Sequence, residues 1–221
     1  MSHHSSIQQT KDAMGELFIW TDVDPAHAQD FNRWYDTEHM QERAAIPGFK
    51  WSRRYHSKTC PRPYLALYRT DSLNVFTSES YRQAFTKQTE WSVRNFSQMR
   101  NTQRRVAAVT LAYGAGTGAG IALVCLSSLA IAKQALSLCQ TLGQAAEGVL
   151  SAKILVPDLD LSTPLPSENT AQRVLEPYLI IDATTLSAAS KAATTIAKQL
   201  GLPELACHSF DLLWDLQASD L

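Results

Sequence analysis

Apolar and polar positions along the chain fall into two series of elements with the same order. From Glu16 to Val23 they alternate, with Leu17, Ile19 and Val23 on one side and Phe18, Trp20 and Asp22 on the other, which predicts a half-buried strand. Asp24 and Pro25 then supply an N-cap and a first-turn proline for a helix that runs to about Ala45, and Pro47-Gly48 stops it. Strands are predicted over Phe49–Ser57 and Pro63–Thr70, a helix over Val75–Thr86, an extra segment over Thr89–Thr102 and a fourth strand over Val106–Tyr113.

After Gly114-Ala115-Gly116-Thr117-Gly118-Ala119-Gly120 the order recurs: strand Ile121–Leu126, helix Ser127–Gly143 and strand Val149–Val156. A proline-bearing polar loop follows, then strand Glu176–Thr184, helix Ala188–Leu200 and strand Cys207–Leu216. Pro63-Tyr64-Leu65 and Pro177-Tyr178-Leu179 open the third strand of each series. The repeated order predicts an α+β protein of two tandem ferredoxin-like β-α-β-β-α-β units. Each four-stranded sheet has one face covered by helices, so the other face needs a partner. Packing the two sheets together forms an intramolecular α/β barrel and can enclose a cavity. The expected organisation is a disordered leader over residues 1–13, a first unit over 14–113, a flexible glycine-rich linker over 114–120 and a second unit over 121–221.

No residue between Arg105 and Lys133 is charged, a length that could span a bilayer. The four alternating glycines at its centre are poor helix formers, so two strands and a joint are expected there. Basic and acidic residues number 20 and 21, a balance that gives no reason to expect a nucleic-acid partner. The first fifteen residues lack an apolar signal core, and Cys60, Cys125, Cys139 and Cys207 form no C-x-x-C pair. These features predict free thiols, a cytoplasmic location and no membrane partner, with a homodimer allowed. No cofactor is expected: Gly114-x-Gly116-x-x-Ala119 lacks the following helix and acidic residue of a dinucleotide site, and there is no P-loop. His39, His56 and Glu38 match no metal-ligand spacing, so no metal is expected.

The first helix holds the candidate chemistry. Phe31, Trp34, Tyr35, Ala45 and Ile46 form an apolar face; Glu38 and Glu42 fall inside it and His39 at its edge. A carboxylate in such a stripe needs a partner or a task. Two readings stand: Glu38 or His39 is a proton-transfer group, or the carboxylate is paired with Arg53 or Arg54 on the next strand. The expected catalytic residues are His39, Glu38 and Tyr35. For the barrel cavity, Phe18, Trp20, Asp22, Tyr64, Tyr68 and Thr70 are expected to face inward, with Leu17, Ile19, Leu65 and Leu67 toward the helices. On the second strand, alternation leaves open Lys50, Ser52, Arg54 and His56 or Phe49, Trp51, Arg53 and Tyr55; the polar set is favoured. The expected substrate-binding residues are thus Trp20, Asp22, Arg54, His56 and Tyr68.

The string Phe31-Asn32-x-Trp34-Tyr35-x-x-Glu38-His39, with Ile46-Pro47-Gly48-Phe49, Arg53-Arg54-Tyr55, Tyr64-Leu65-Ala66-Leu67-Tyr68 and Thr89-x-Trp91-Ser92-x-Arg94, resembles the EthD-like branch of the dimeric α/β-barrel superfamily over about residues 14–113. The resemblance implies one site per chain, because the second series lacks the motif, and a histidine near the cavity mouth, which falls on His39. Relatives in that branch include cofactor-free cyclases, isomerases, decarboxylases and monooxygenases, and proteins with no known reaction. With the aromatic lining, which suits a small aromatic or polyketide-derived molecule, the expected function is a cofactor-free enzyme of secondary metabolism acting by proton transfer (cyclisation, isomerisation, elimination or decarboxylation). The alternative is an accessory protein that binds a small hydrophobic ligand without turning it over.

Overall fold

The computed structural model describes residues 11–171 and 173–221, without the side chains of residues 112 and 145. Eight strands close a single antiparallel barrel in the order β1-β3-β2-β8-β5-β7-β6-β4. The first four are β1 (Gly15–Val23), β2 (Phe49–His56), β3 (Tyr64–Thr70) and β4 (Met99–Gly114), and the second four are β5 (Gly120–Cys125), β6 (Val149–Pro157), β7 (Tyr178–Ala183) and β8 (Cys207–Gln217). Each set forms one four-stranded sheet. The sheets join edge to edge at the β2–β8 and β4–β6 seams, which leaves neither with a free edge.

Helices α1 (Ala28–Trp34), α2 (Met40–Ala44), α3 (Glu79–Thr86) and α4 (Glu90–Gln98) cover the first unit, and α5 (Leu129–Ala145) and α6 (Leu186–Gln199) the second. Asp24 caps the first helical turn as expected, accepting from the Ala26 N–H at 2.9 Å. Between α1 and α2 the helix widens to a π turn at Tyr35–His39. Such insertions are frequent at functional sites. The extra segment is α4 plus the start of β4, which begins seven residues earlier than the pattern predicted because Thr89 caps α4 and the chain then extends directly into the sheet.

Strand alternation separates three cores. Leu17, Ile19, Tyr64, Ala66 and Tyr68 pack outward against Phe31, Trp34, Tyr35 and Met40. An alanine-rich outer core, including Ala189, Ala193 and Ile196 of α6, serves the second unit. Phe18, Trp20, Trp51, Tyr55, Leu65, Leu67, Ile121, Leu123, Tyr178, Ile180 and Phe210 fill the barrel. The inward placement of Phe18 and Trp20 agrees with the sequence pattern. That of β3 is inverted: Leu65 and Leu67 point into the barrel, and Tyr64 and Tyr68 lie under the helices. Arg54 and His56 likewise lie on the outer face of β2, and Trp51 and Tyr55 take the interior. The physical reason is size and polarity. Leu65 and Leu67 join the apolar packing inside, whereas on the outer face the Tyr64 hydroxyl accepts from Asn32 Nδ2 and the Arg54 guanidinium donates to Asn32 and Asp36 of the helix layer.

β3 and β7 occupy equivalent places, but their shared Pro-Tyr-Leu string does not superpose. Tyr64 faces the helices and Tyr178 the interior, where it stacks on Phe18 at 4.6 Å. With a side-chain period of two, a one-residue offset reverses every face. The glycine joint is also less free than its composition suggests. A Cβ on Gly118 would stand 1.7 Å from the Ala183 carbonyl oxygen, so close backbone approach requires glycine there. Residues 11–13 of the expected leader are held: the Leu73 N–H donates to the Ala13 carbonyl and Asn74 to that of Lys11. Residues 1–10, with His3 and His4, lie outside the described residues. No described helix is long and apolar enough to cross a membrane.

Candidate functional site

A pocket of about 550 Å³ lies outside the barrel, where the first helix crosses the β2–β8 seam. Its floor is the outer face of three adjacent strands: Tyr64 of β3, Arg54 and His56 of β2, and Leu213 and Trp214 of β8. Asn32 of α1 and Asp36 of the π turn form the wall. Trp214 sits beside Arg54 because the two are register partners across the seam. The second unit, which lacks the helix motif, thus contributes an aromatic wall to the site of the first.

Arg54 is the organising group. Its side chain is only 2% exposed. Nη2 donates to Asn32 Oδ1 at 2.5 Å, and Nη1 to Asp36 Oδ1 at 3.0 Å. The guanidinium also lies 4.3 Å from the Tyr35 ring centroid and 5.4 Å from those of Phe31 and Tyr64. Cation–π contact supplements the hydrogen bonds of a desolvated cation. Nε is buried and has no hydrogen-bond partner, and the one paired carboxylate, Asp36, is 52% exposed. The site therefore holds a cation with one N–H to spare and incomplete charge compensation.

His56 stands two residues along the same strand face, with its ring 5.1 Å from that of Tyr64. Partial burial, reinforced by the Arg54 charge, lowers its pKa from the usual imidazole value, so the ring is neutral near pH 7 and can accept a proton. Side chains two apart on a strand are separated by about 6.5–7 Å.

The other expected site residues divide among three places. Tyr35, His39 and Tyr68 form an aromatic layer behind Arg54. His39 stacks at 4.2 Å on Trp34, with Tyr35 and Phe96 edge-on. Burial, with the Arg43 and Arg54 charges, holds His39 well below the usual imidazole range. Its Nδ1 has no hydrogen-bond partner and lies 3.8 Å from Glu42 Oε2. Burial likewise raises the Tyr35 and Tyr68 phenols. None of the three lines the pocket.

Glu38 reaches the N-terminus of α4 rather than the Arg53 or Arg54 partner considered from sequence. It accepts from Thr89 Oγ1 at 2.6 Å and Ser92 Oγ at 3.2 Å, and Ser92 Oγ in turn accepts from Trp34 Nε1 at 3.0 Å. Asp30 completes this clamp, accepting from Trp91 Nε1 at 3.1 Å and Asn95 Nδ2 at 3.2 Å. Trp20 lies in the barrel, with Nε1 donating to the Arg62 carbonyl at 2.8 Å. Asp22 sits where β1 bulges, accepts from the Val23 N–H and does not line the pocket. Of the eight expected residues, Arg54 and His56 line the pocket.

Sequence reasoning did not single out Asn32, Asp36, Leu213 and Trp214 as site residues, and it placed Tyr64 in the barrel cavity rather than in this pocket. Asn32 and Asp36 carry a usable signal, being polar groups four apart and so on one helix face. Trp214 carries none, because its place depends on the seam register. Among the described residues, no group of three or more His, Cys, Asp or Glu side chains is placed to hold a metal ion.

No family model and no curated protein sequence matches the chain. Solved structures do match its shape. An anthrone oxidase-like protein aligns with TM-score 0.57 and 10% identity over 94% of each chain. A protein assigned as a monooxygenase from Lactobacillus acidophilus aligns with TM-score 0.54 and 9% identity, over 93% of this chain and 94% of its own. One assigned as a chlorite dismutase gives TM-score 0.55 and 8% identity over 94% and 96%. At such identities the likeness is one of fold, and it does not single out the EthD-like branch. The chain shares with these structures the fold of a closed α/β barrel, built here from two four-stranded halves of one polypeptide.

Proposed function

We propose that the protein binds a small, flat aromatic or polyketide-derived ketone in the Arg54–Trp214 pocket and moves a proton on it without a cofactor. The observation that carries this reading is the pairing, in one pocket, of a buried guanidinium with an unpartnered N–H and a neutral imidazole. His56 takes the proton from the carbon beside the carbonyl. The electron pair of that C–H bond moves onto oxygen, and Arg54 stabilises the resulting enolate. Where the enolate is conjugated with a C=C bond, return of the proton to its far carbon gives isomerisation. Where the molecule carries a second carbonyl, attack of the enolate carbon on it closes a ring, and His56 returns its proton to the new alkoxide. Trp214 and Tyr64 offer faces for the ring system, and Leu213 an apolar edge.

This reading assigns proton transfer to His56 and support to His39, Tyr35 and Tyr68, which set the aromatic layer against which Arg54 rests. It keeps the EthD-like relationship as its family context. The anthrone oxidase-like protein of the same fold is named for a planar aromatic ketone, a ligand shape this pocket also suits.

The test is proton exchange. 2-Tetralone, a benzo-fused cyclic ketone with acidic benzylic protons, is incubated in D2O with protein and followed by NMR. Catalysed exchange at the carbon between ring and carbonyl is expected, and His56→Gln should lower it about 10²–10⁴-fold. Exchange equal to buffer with the parental protein overturns the catalytic reading. A second reading, ligand holding without turnover, is favoured by one observation: Glu38 is engaged in helix packing and His39 is buried away from the pocket. Saturable 2-tetralone binding without exchange would select it.

A further inference from the structure

A second cavity, of about 360 Å³, lies at the end of the barrel beneath the connection between β6 and β7. That connection, residues 158–177, is 20 residues long, a length uncommon between neighbouring strands of a compact domain. It is fastened to β4. Arg104 Nη1 donates to the Leu161 and Thr163 carbonyls at 2.9 and 3.0 Å, Ser162 Oγ accepts from the Val106 N–H at 3.0 Å, and Ser167 donates to Thr102 at 2.8 Å. The loop thereby carries Glu168 and Arg173 over the barrel mouth.

Three guanidinium groups line this cavity. Arg105 is buried, and Glu168 Oε1 accepts from it at 2.6 Å; Arg173 Nε donates to that same oxygen at 2.9 Å. One carboxylate thus serves two arginines. The Arg105 Nε remains buried and without a partner. Arg62 has no carboxylate within ion-pair distance among the described residues. Its Nε donates to the Asn101 carbonyl at 2.6 Å, and its guanidinium rests 4.7 Å from the Trp20 ring centroid. Glu176 also lines the cavity, so three cations face two carboxylates and one positive charge is left over. Gln103 and Asn169 add amide groups, and Gln103 already accepts from the Tyr178 hydroxyl at 2.9 Å.

We infer that this cavity is a binding site for a small organic monocarboxylate. A guanidinium presents N–H donors in a plane that matches a carboxylate. The surplus of one positive charge fits one negative charge, and the two acidic walls disfavour a dianion. The amides suit a hydroxyl or carbonyl on the same small molecule. The site is separate from the Arg54–Trp214 pocket: it shares no lining residue with it and stands independently of the reading of that pocket.

The experiment titrates 15N-labelled protein with L-lactate, inorganic phosphate and chloride at matched ionic strength, following the Trp20 indole N–H resonance. The resonance is assigned with Trp20→Phe. Lactate is expected to move it saturably, with phosphate and chloride producing only linear drift. Arg62→Gln, a half-buried position chosen to spare the fold, should weaken lactate at least 10-fold, whereas Arg54→Gln should leave it unchanged. No saturable response to lactate, or the same response in R62Q, overturns the proposal. Tighter saturation by phosphate than by lactate overturns the carboxylate assignment.

Discussion

The Glu38 carboxylate and the Thr89 hydroxyl meet at 2.6 Å, joining the π turn to the N-terminal cap of α4. This contact gives the helix motif a physical meaning. Trp34, Glu38, Thr89 and Ser92 form one hydrogen-bonded chain, and Asp30, Trp91 and Asn95 a parallel one. A carboxylate near a helix N-terminus is favoured by exposed N–H groups as well as by the hydroxyls.

Glu38→Ala is expected to lower unfolding free energy by about 1–3 kcal/mol, the cost of leaving hydroxyl donors unmatched. Glu38→Gln, which keeps an acceptor, should lower it less. Urea unfolding checks both, and 2-tetralone exchange corrected for folded fraction should stay parental. A parental melt with lost exchange would instead place Glu38 in the chemistry.

His39 makes stability depend on pH. Its folded pKa lies below the unfolded value of 6.5, chiefly through burial. As pH falls below about 6.5, the unfolded chain binds a proton that the folded chain refuses. Folding then weakens by about 1.4 kcal/mol per pH unit for each such histidine, until the folded pKa is reached. His56 and His208, also lowered by burial, act with the same sign. His39→Phe, which suits the cage of Trp34, Tyr35 and Phe96, should match the parent at pH 7 and lose less stability between pH 6.5 and 5. Equal slopes for the two proteins would count against a buried neutral His39.

Inside the barrel, Glu16 accepts from Arg69 at 2.8 Å and Lys153 at 3.0 Å. Burial opposes ionisation of Glu16, but the Lys153 and Arg69 charges outweigh it and hold the carboxyl below its usual value. The stabilisation is present above the unfolded pKa and is lost as pH falls through the folded one. Glu16→Gln should destabilise by about 3–5 kcal/mol because a buried lysine loses its partner. The double variant E16Q/K153M should lose less than the sum of the single changes, which a double-mutant cycle measures directly.

How much of this was legible depends on the reach of each signal. Period-two and helical patterns located the strands and most of the helices, because each element carries its own pattern. The faces of β2 and β3 were not legible. Both carry large side chains on each side: Tyr64 and Tyr68 against Leu65 and Leu67, Arg54 against Tyr55. Only the closed barrel decides which set fits inside. His39 and Glu38 stood out as polar groups on an apolar stripe, but the neighbour that explains Glu38 is α4, 51 residues away in sequence. The pocket itself depends on Arg54 meeting Trp214 across the seam, a pairing that no local pattern encodes.

Arg54 should matter to binding more than any other pocket side chain. Arg54→Gln is expected to weaken 2-tetralone binding about 10- to 100-fold, the scale of a lost charge-assisted hydrogen bond. NMR titration measures it, with Glu38→Gln as the comparison expected to bind as the parent does. Unchanged affinity in R54Q would remove the guanidinium from recognition.

The most direct measurement is a crystal structure of the protein with 2-tetralone bound. The ligand is predicted to lie between Trp214 and Tyr64, its carbonyl oxygen within about 3 Å of a nitrogen of the Arg54 guanidinium and its acidic carbon toward His56. A ligand found inside the barrel among Phe18 and Phe210, or beside His39 with the Arg54 pocket unengaged, would contradict the assignment of this pocket as the active site.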